Sequence, residues 1–496
     1  MNNKASITTL VLVFGTIFLL LLAGLFRFIL LQTKQSQQKV AWENSLNIAE
    51  AGINYYYWHL NYDPDDFEDG DSVGPPYIHN YPSNDPIGKF SLEITPPEQG
   101  STTVVVRSTG WTDKYPLLER TIEVQYAYPS WAEYAYLTHK EVWFGEEENI
   151  KGKVHSNGGI RFDATGNSLI TSAKYGLGYT CTKAQGCDPS EEKDGIWGEG
   201  SPQDLWGYHS EINFWSIDTK LNNLKTETCP EIGSGVYQNP ETGNYCLYPS
   251  ESYGYHLRFN SDMSNTFNVY KVRSVDWMKS IDSEGTRYDY YYIKSEDSDG
   301  LTGIYDLPEN ALIYVQDELW VDGEIGSRVT VIAAQEIEDK SIIINDNLTY
   351  ITKDGSCALG LIAQKDILIP WYSPDNLEIN GVLLALRGSC YRPYYSWLLP
   401  QDLRWPWIQN PVRDTIQLYG SVIHYRSYSP YWEFRFLWWT FPRMSLTWGW
   451  LDESKEVISG YQHTELEYDP HSVYNPPPYF PTYEEEYEIV KWEEVP

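Results

Sequence analysis

One stretch limits everything else about this chain: residues 6–31, SITTLVLVFGTIFLLLLAGLFRFILL, where Arg27 is the only charge. A helix of roughly 20 apolar residues spans a bilayer. A cleaved secretory signal has a shorter apolar core followed by a small-residue cleavage site. Residues 1–31 are therefore read as a leader and a retained transmembrane half-helix. The helix does not stop there. Residues 32–60 contain no proline, and the first in the chain is Pro64. Trp42, Leu46, Ala49, Ile53, Tyr57 and Leu60 recur at steps of three and four, which puts them on one helical face. A continuous helix of about 55 residues is ~80 Å long. Its first half belongs in lipid, and its second half packs on a globular domain.

Three strand signals follow, at 89–95, 102–109 and 118–126, separated by Pro, Gly and Asp. Together with the second half of the helix they predict a helix on a three-stranded antiparallel meander over 32–129. From residue 130 the chain is β-rich, with short strands that carry a glycine. NIKGKVHSNGGIRF, ELWVDGEIG, LEINGVLLAL and IQLYGSVIHY share an apolar-x-x-Gly-x-apolar form or a close variant. Such units stack as coils, each burying its apolar edge on the next. The fold class is thus mainly β with one long N-terminal α-helix (α+β). The body at 130–173 and 304–430 is expected to be a right-handed β-solenoid, with an antiparallel sandwich as the alternative. Residues 174–303, rich in Gly, Ser, Asp and Tyr, are too long for a structureless loop and read as a disulfide-braced insertion. Residues 431–496 form an aromatic-rich C-terminal segment with a Pro-rich acidic tail. Its PPPYFPT is expected to be extended chain on the surface.

The sequence IAEAGINYYYWHL, residues 48–60, resembles the AEAG signature of type IV pilin-like proteins, in particular minor pilins of the PilX-like type. RSTGWTDKYPLLERTIEV, residues 107–124, is similar to the same group. KVHSNGGIRFD, GLIAQKDILIP, INGVLLALRGS and the closing PPPYFPT look like segments of large pilin-like surface proteins. The resemblance implies a prepilin peptidase cut between Ala5 and Ser6. Ala5 stands where that family usually has glycine, and Leu10 where it usually has glutamate. It also implies that the N-terminal helix packs with other pilin-like subunits.

Net charge is -33, and aromatic residues make up 15% of the chain. So acidic a surface repels phosphate backbones, which argues against nucleic acid as a partner. Cys181, Cys187, Cys229, Cys246, Cys357 and Cys390 make an even number, as suits an oxidising compartment. Neighbour pairing gives 181–187, 229–246 and 357–390. Arg27, Lys34 and Lys39 follow the span while only Lys4 precedes it, a bias that favours a cytoplasmic body. The cysteines, the β content and the pilin resemblance favour the outside, and large domains translocate largely regardless of flanking charge. The chain is read as a single-pass cell-membrane protein with most of its length extracellular.

No cofactor is expected. Asp63, Asp65, Asp66, Asp69 and Asp71 supply hard oxygen ligands that can hold calcium, although their spacing is not that of an EF-hand. In His155-Ser156-Asn157 the adjacent strand side chains point to opposite faces, so they do not make a Ser–His pair by themselves. The nine histidines show no metal-binding spacing. There is no GxGxxG, Walker A or GxSxG element. The chain is read as a non-enzymatic surface protein acting in type IV pilus assembly or adhesion. One alternative is a tethered carbohydrate-binding or glycan-cleaving protein recognising a surface glycan or host-cell ligand, with Trp371, Trp405, Trp407 and Trp438 as candidate stacking rings. A passive envelope component is the other.

Overall fold

The computed structural model describes the chain apart from residues 1–3, 71–73, 147, 182–186, 261–264, 283–284, 294–300, 396–410, 427–442, 446–448, 452–456, 483–485 and 496. It divides into two compact units. One comprises residues 1–97, 102–127 and 486–496; the other comprises 98–101 and 128–485.

In the first unit a single helix, α1, runs over Lys4–Tyr62. No Pro or Asp interrupts it, so the backbone ladder carries through from the apolar half to the packed half. The packed half lies on an antiparallel meander of β1 (Tyr77–Tyr81), β2 (Gly88–Thr95), β3 (Val104–Thr112) and β4 (Tyr115–Ala127). The last strand of the chain, Glu488–Val495, pairs antiparallel with β4 and completes the sheet. The tail is therefore not one segment. Its final strand belongs to the helix-and-meander unit, because β4 offers an unpaired edge that an incoming strand can satisfy.

The buried face of α1 is rotated from the expected stripe. Ala49, Ile53 and Leu60 are buried, as are Ala41, Ser45, Ile48 and Tyr56. Leu46 is half-buried, while Trp42 and Tyr57 are 43% and 37% exposed. Both exposed rings still have partners. The Arg120 guanidinium lies over Trp42 at 5.0 Å, and Tyr57 stacks on Tyr126 at 5.7 Å. The rotation comes from close backbone approach. A Cβ at Gly52 would lie 2.3 Å from Ser108 Oγ, and one at Gly110 would lie 2.4 Å from the Ala49 nitrogen. Only glycine lets helix and sheet meet at these points.

The second unit is built on parallel ladders. One runs through Tyr245–Leu247, Ala311–Val315, Arg328–Ala333, Ala358–Ala363, Asn376–Ala385 and Val412–His424. It continues through Tyr134–Thr138, Lys153–Ser156, Ile170–Ser172 and Trp206–Tyr208. A second joins Tyr255–Asn260, Leu319–Ile325, Ile342–Tyr350, Ile367–Leu368 and Cys390–Tyr391. A third continues Val412–His424 through Val457–Glu467 and Asn149–Lys151 to Thr165–Gly166. These pairings are parallel, whereas a sandwich needs antiparallel ones. Inward Ile, Leu and Val, such as Ile313, Val331, Leu361 and Leu383, fill one continuous core.

The rungs do not follow chain order. The chain enters mid-stack at Tyr134–Thr138 and climbs to Trp206–Tyr208. After a helix at Ser216–Thr228 it resumes at Tyr245–Leu247, the far end of the ladder. It then returns rung by rung until Val412–His424 pairs with Tyr134–Thr138. Entry and exit are consequently neighbours: Ser130 bridges Thr482, and the Trp131 amide donates to the Pro481 carbonyl at 3.1 Å. A body placed between two adjacent strands of a sheet requires this closeness. The stretch expected to be a separate insertion, 174–303, in fact contributes rungs at both ends of the ladder. It also blunts one end, where Val236–Gln238 and Thr266–Lys271 pair antiparallel onto the outermost rungs.

Two disulfides join Cys181 to Cys187 and Cys229 to Cys246. The expected third does not form; Cys357 and Cys390 are buried and unbonded. They occupy different ladder positions, Cys390 at the start of a rung and Cys357 in the turn before another. The tail packs on the body, but not as the expected extended surface chain: it turns at residues 478–479, with Tyr479 at φ 59°, and Pro477 and Pro478 are buried. Arg328 donates to the carbonyl of Asn475 at 3.2 Å and that of Pro476 at 2.5 Å, Thr330 donates to that of Pro478, and Phe480 is buried.

Candidate functional site

The apolar half of α1 is one candidate. Its large side chains from Ile7 to Leu31 are exposed, Leu22 least at 38%. The helix is long and apolar enough to cross a membrane by length and composition. A Cβ added at Gly15 or Gly24 would meet no atom within 4 Å outside the adjoining helix backbone. Ala5 and Ser6 lie in its first turn.

In the acidic loop after α1 two of the five candidate carboxylates have histidine partners. Asp66 is 3.0 Å from His59 Nε2, and Asp69 is 2.6 Å from His79 Nε2. The Tyr56 hydroxyl donates to the Asp66 carbonyl at 3.0 Å. These contacts tie the loop to the end of the helix and to β1, and hydrogen bonds from the Glu68 amide and His59 hold Asp66 below its usual range despite desolvation. Asp63 and Asp65 have no shared ligand geometry with them, and Asp71 lies outside the described residues. Among the described residues no group of three His, Cys, Asp or Glu is placed to hold a metal.

A second candidate lies at one corner of the body, where His155-Ser156-Asn157 ends its rung. Thr138, Ser156 and Ser172 share one register position on three successive rungs. Each closes its own turn: Thr138 Oγ1 accepts from the Lys140 amide at 3.3 Å, Ser156 Oγ from Gly158 at 3.0 Å and Ser172 Oγ from Lys174 at 3.0 Å. Each later hydroxyl also donates to the turn before it, Ser156 to the Lys140 carbonyl at 2.7 Å and Ser172 to that of Gly158 at 2.8 Å. Ser156 is thereby engaged by backbone on both sides. Asn157 ties the corner further, accepting from the Ile212 amide at 2.9 Å and donating to its carbonyl at 2.7 Å. His155 is buried, with Nε2 3.1 Å from Asn157 Oδ1 and Nδ1 2.9 Å from Thr171. Burial pushes its pKa down to about 4, so the ring is neutral at pH 7. Nucleophile–base geometry is missing here, because His155 hydrogen-bonds to Thr171 and Asn157 rather than to Ser156.

The chain is similar to the competence-associated pilin ComZ from Thermus thermophilus. That match has a TM-score of 0.27 and 11% identity, and covers 92% of this chain and 97% of that one. No protein-family profile matches the sequence. No curated protein matches it either.

Sequence reasoning missed what the turns bring together. His139, His155 and His209 converge although they are far apart in sequence; the rings of His155 and His209 are 5.2 Å apart, and Asn157 Nδ2 is 3.0 Å from His139 Nδ1. Beside them opens a cavity of about 490 Å³ whose lining includes His139, Lys140, Glu141, Lys174 and Glu211. The signal was present as Thr or Ser two residues before Lys140, Gly158 and Lys174, but only the rung spacing makes it a column. Of the expected stacking rings, Trp371 is buried at 3% exposure and meets Tyr395 edge-on at 5.0 Å. Trp405, Trp407 and Trp438 lie outside the described residues.

Proposed function

We propose that this chain is a membrane-anchored, non-enzymatic surface protein related to type IV pilins, with α1 as both its anchor and its contact with other pilin-like helices. The observation that carries this reading is the division of α1. Its N-terminal half is exposed and apolar but for Arg27 near its end, while its C-terminal half is locked to a meander at Gly52 and Gly110. A helix with this division serves two solvents at once: lipid on one half, protein on the other. The AEAG and STG segments meet at those glycines, which gives the sequence resemblance a packing basis. Leu10 brings no charge into the apolar half, so this subunit joins other helices through apolar packing alone. Its large acidic body favours a low-copy position in a pilus-assembly or adhesion system, with the body outside the cell, where its disulfides persist.

Two measurements test this. Mass spectrometry of the mature chain is expected to find Ser6 at the amino terminus; an intact Met1 would remove prepilin processing. Protease added to intact cells is expected to digest the body, and full protection would overturn the topology.

A further inference from the structure

The apolar half of α1 carries one arginine and no acid. Arg27 stands before the end of the apolar stretch at Leu31, about 6 Å from it along the helix axis. A guanidinium at that depth is stable only where its long side chain reaches an anion or water at the membrane surface. No acid occurs on α1 before Glu43, so the helix itself supplies no counter-charge there. The next charges after Arg27 are Lys34 and Lys39.

Two of these three basic residues share a face. Steps of seven residues return to nearly the same side of a helix. Arg27, Lys34 and Ala41 are so spaced, as are Ser45 and Gly52. Ala41 and Ser45 are buried under the meander, and Gly52 is in close contact with it. Arg27 and Lys34 extend that face below the meander, where both are exposed. The meander stops level with Gln37: in the β3–β4 turn the Lys114 ammonium and the Tyr115 hydroxyl both donate to Gln37 Oε1 at 3.1 Å. With Leu31 at the edge of the hydrocarbon, Gln37 lies about 9 Å above it. A headgroup layer is about 5–8 Å deep. The turn therefore roofs a wedge one headgroup tall, with Lys34 on its wall and Arg27 rising from its floor.

We propose that this wedge binds the headgroup of an anionic phospholipid, with the phosphate between Arg27 and Lys34 and beneath Lys114. The inference rests on the reading of α1 as a membrane anchor and adds the class of lipid that surrounds it. Charge decides the class. Arg27, Lys34, Lys39 and Lys114 face two carboxylates on the adjoining turns, Asp85 and Asp113, a local surplus of two positive charges in a chain of net charge -33. A zwitterionic headgroup brings its own ammonium with its phosphate and leaves that surplus uncompensated. An anionic headgroup offsets it. A guanidinium also matches two phosphate oxygens at once, which an ammonium cannot do.

The test is spin-label resonance on the full-length protein reconstituted in phosphatidylcholine vesicles. Spin-labelled phosphatidylglycerol is expected to associate with the protein about fivefold more strongly than spin-labelled phosphatidylcholine. That preference is expected to shrink in high salt. The double variant Arg27→Gln/Lys34→Gln is expected to abolish it. Lys39→Gln removes a charge of the same sign from another face and is expected to keep most of it. Wild type and both variants are expected to float with neutral vesicles. Failure of wild type to float would overturn the anchor and this inference with it. Equal association of the two lipids, an undiminished preference in the double variant, or its loss in Lys39→Gln would overturn the lipid site and leave the anchor standing.

Discussion

The helix-and-meander unit and the rung-built body both bury apolar edges, but by opposite devices. The first relies on two point contacts where Gly52 and Gly110 let a helix touch a sheet. The second repeats one parallel contact many times, so no single rung decides the fold. Damage should therefore be concentrated in the first unit and diluted in the second.

The sharpest way to break that contrast is Gly110→Val. Its Cβ would meet the Ser45 carbonyl and the Ala49 nitrogen, both at 2.4 Å and both helix backbone. Backbone cannot rotate away as a side chain can, so α1 must lift from β3. The expected cost is about 4 kcal/mol or more. Hydrogen exchange should rise across β2, β3 and the second half of α1, while the rung at Ala358–Ala363 keeps its protection. Unchanged exchange in α1 would refute the close approach.

Leu361→Ala is the counterpart in the body. Leu361 is fully buried between Val331 and Leu383 on neighbouring rungs. The expected loss is about 3 kcal/mol, from transfer and cavity terms together. Exchange should rise most in the adjacent rungs and fall off along the ladder. A loss spread evenly over the whole body would mean that the rungs melt as one block.

What was readable from sequence follows the same division. The α1 motif was legible because AEAG and STG each carry their glycine at the contact itself. Even so, the stripe counted as Trp42 and Tyr57 was off by a fraction of a turn, because apolar spacing does not report which face a glycine allows closest. In the body, the glycine-bearing strands were recognisable as stacking units. Their order was not, since pairing Val412–His424 with Tyr134–Thr138 is a property of where the chain enters, which no local pattern encodes. The 357–390 pairing failed for that reason: sequence neighbours among cysteines need not be spatial neighbours in a stack. The corner cavity was hidden because its lining residues come from turns separated by whole rungs.

The disulfides sharpen the comparison at smaller scale, since both lie in the body. Replacing Cys229 and Cys246 opens a link of sequence separation 17, and replacing Cys181 and Cys187 one of 6. Chain entropy puts these at about 3 and about 2 kcal/mol. Thermal melts of each double Ser variant should rank in that order.

The smallest effect is the dependence of the body on pH. Desolvation raises Glu148 to about 8 and lowers His155 to about 4. For Glu148 the folded state holds its proton more tightly than the unfolded one, so stability is greatest at low pH and declines as pH rises from about 4.5 towards 8. For His155 the folded state resists protonation, so stability is full above about 6.5 and declines as pH falls towards 4. The two slopes oppose each other, and the body should be most stable near pH 5 to 6. Glu148 is half-buried by surface exposure, which limits its share to about 1 kcal/mol. Glu148→Gln should therefore flatten the melting temperature between pH 6 and 8 without moving the acid limb, whereas Asp66→Asn, in the helix-and-meander unit, should leave the alkaline limb untouched. An alkaline limb that survives Glu148→Gln would assign it to another buried carboxyl, with Glu318, raised to about 7 by burial, the next to replace.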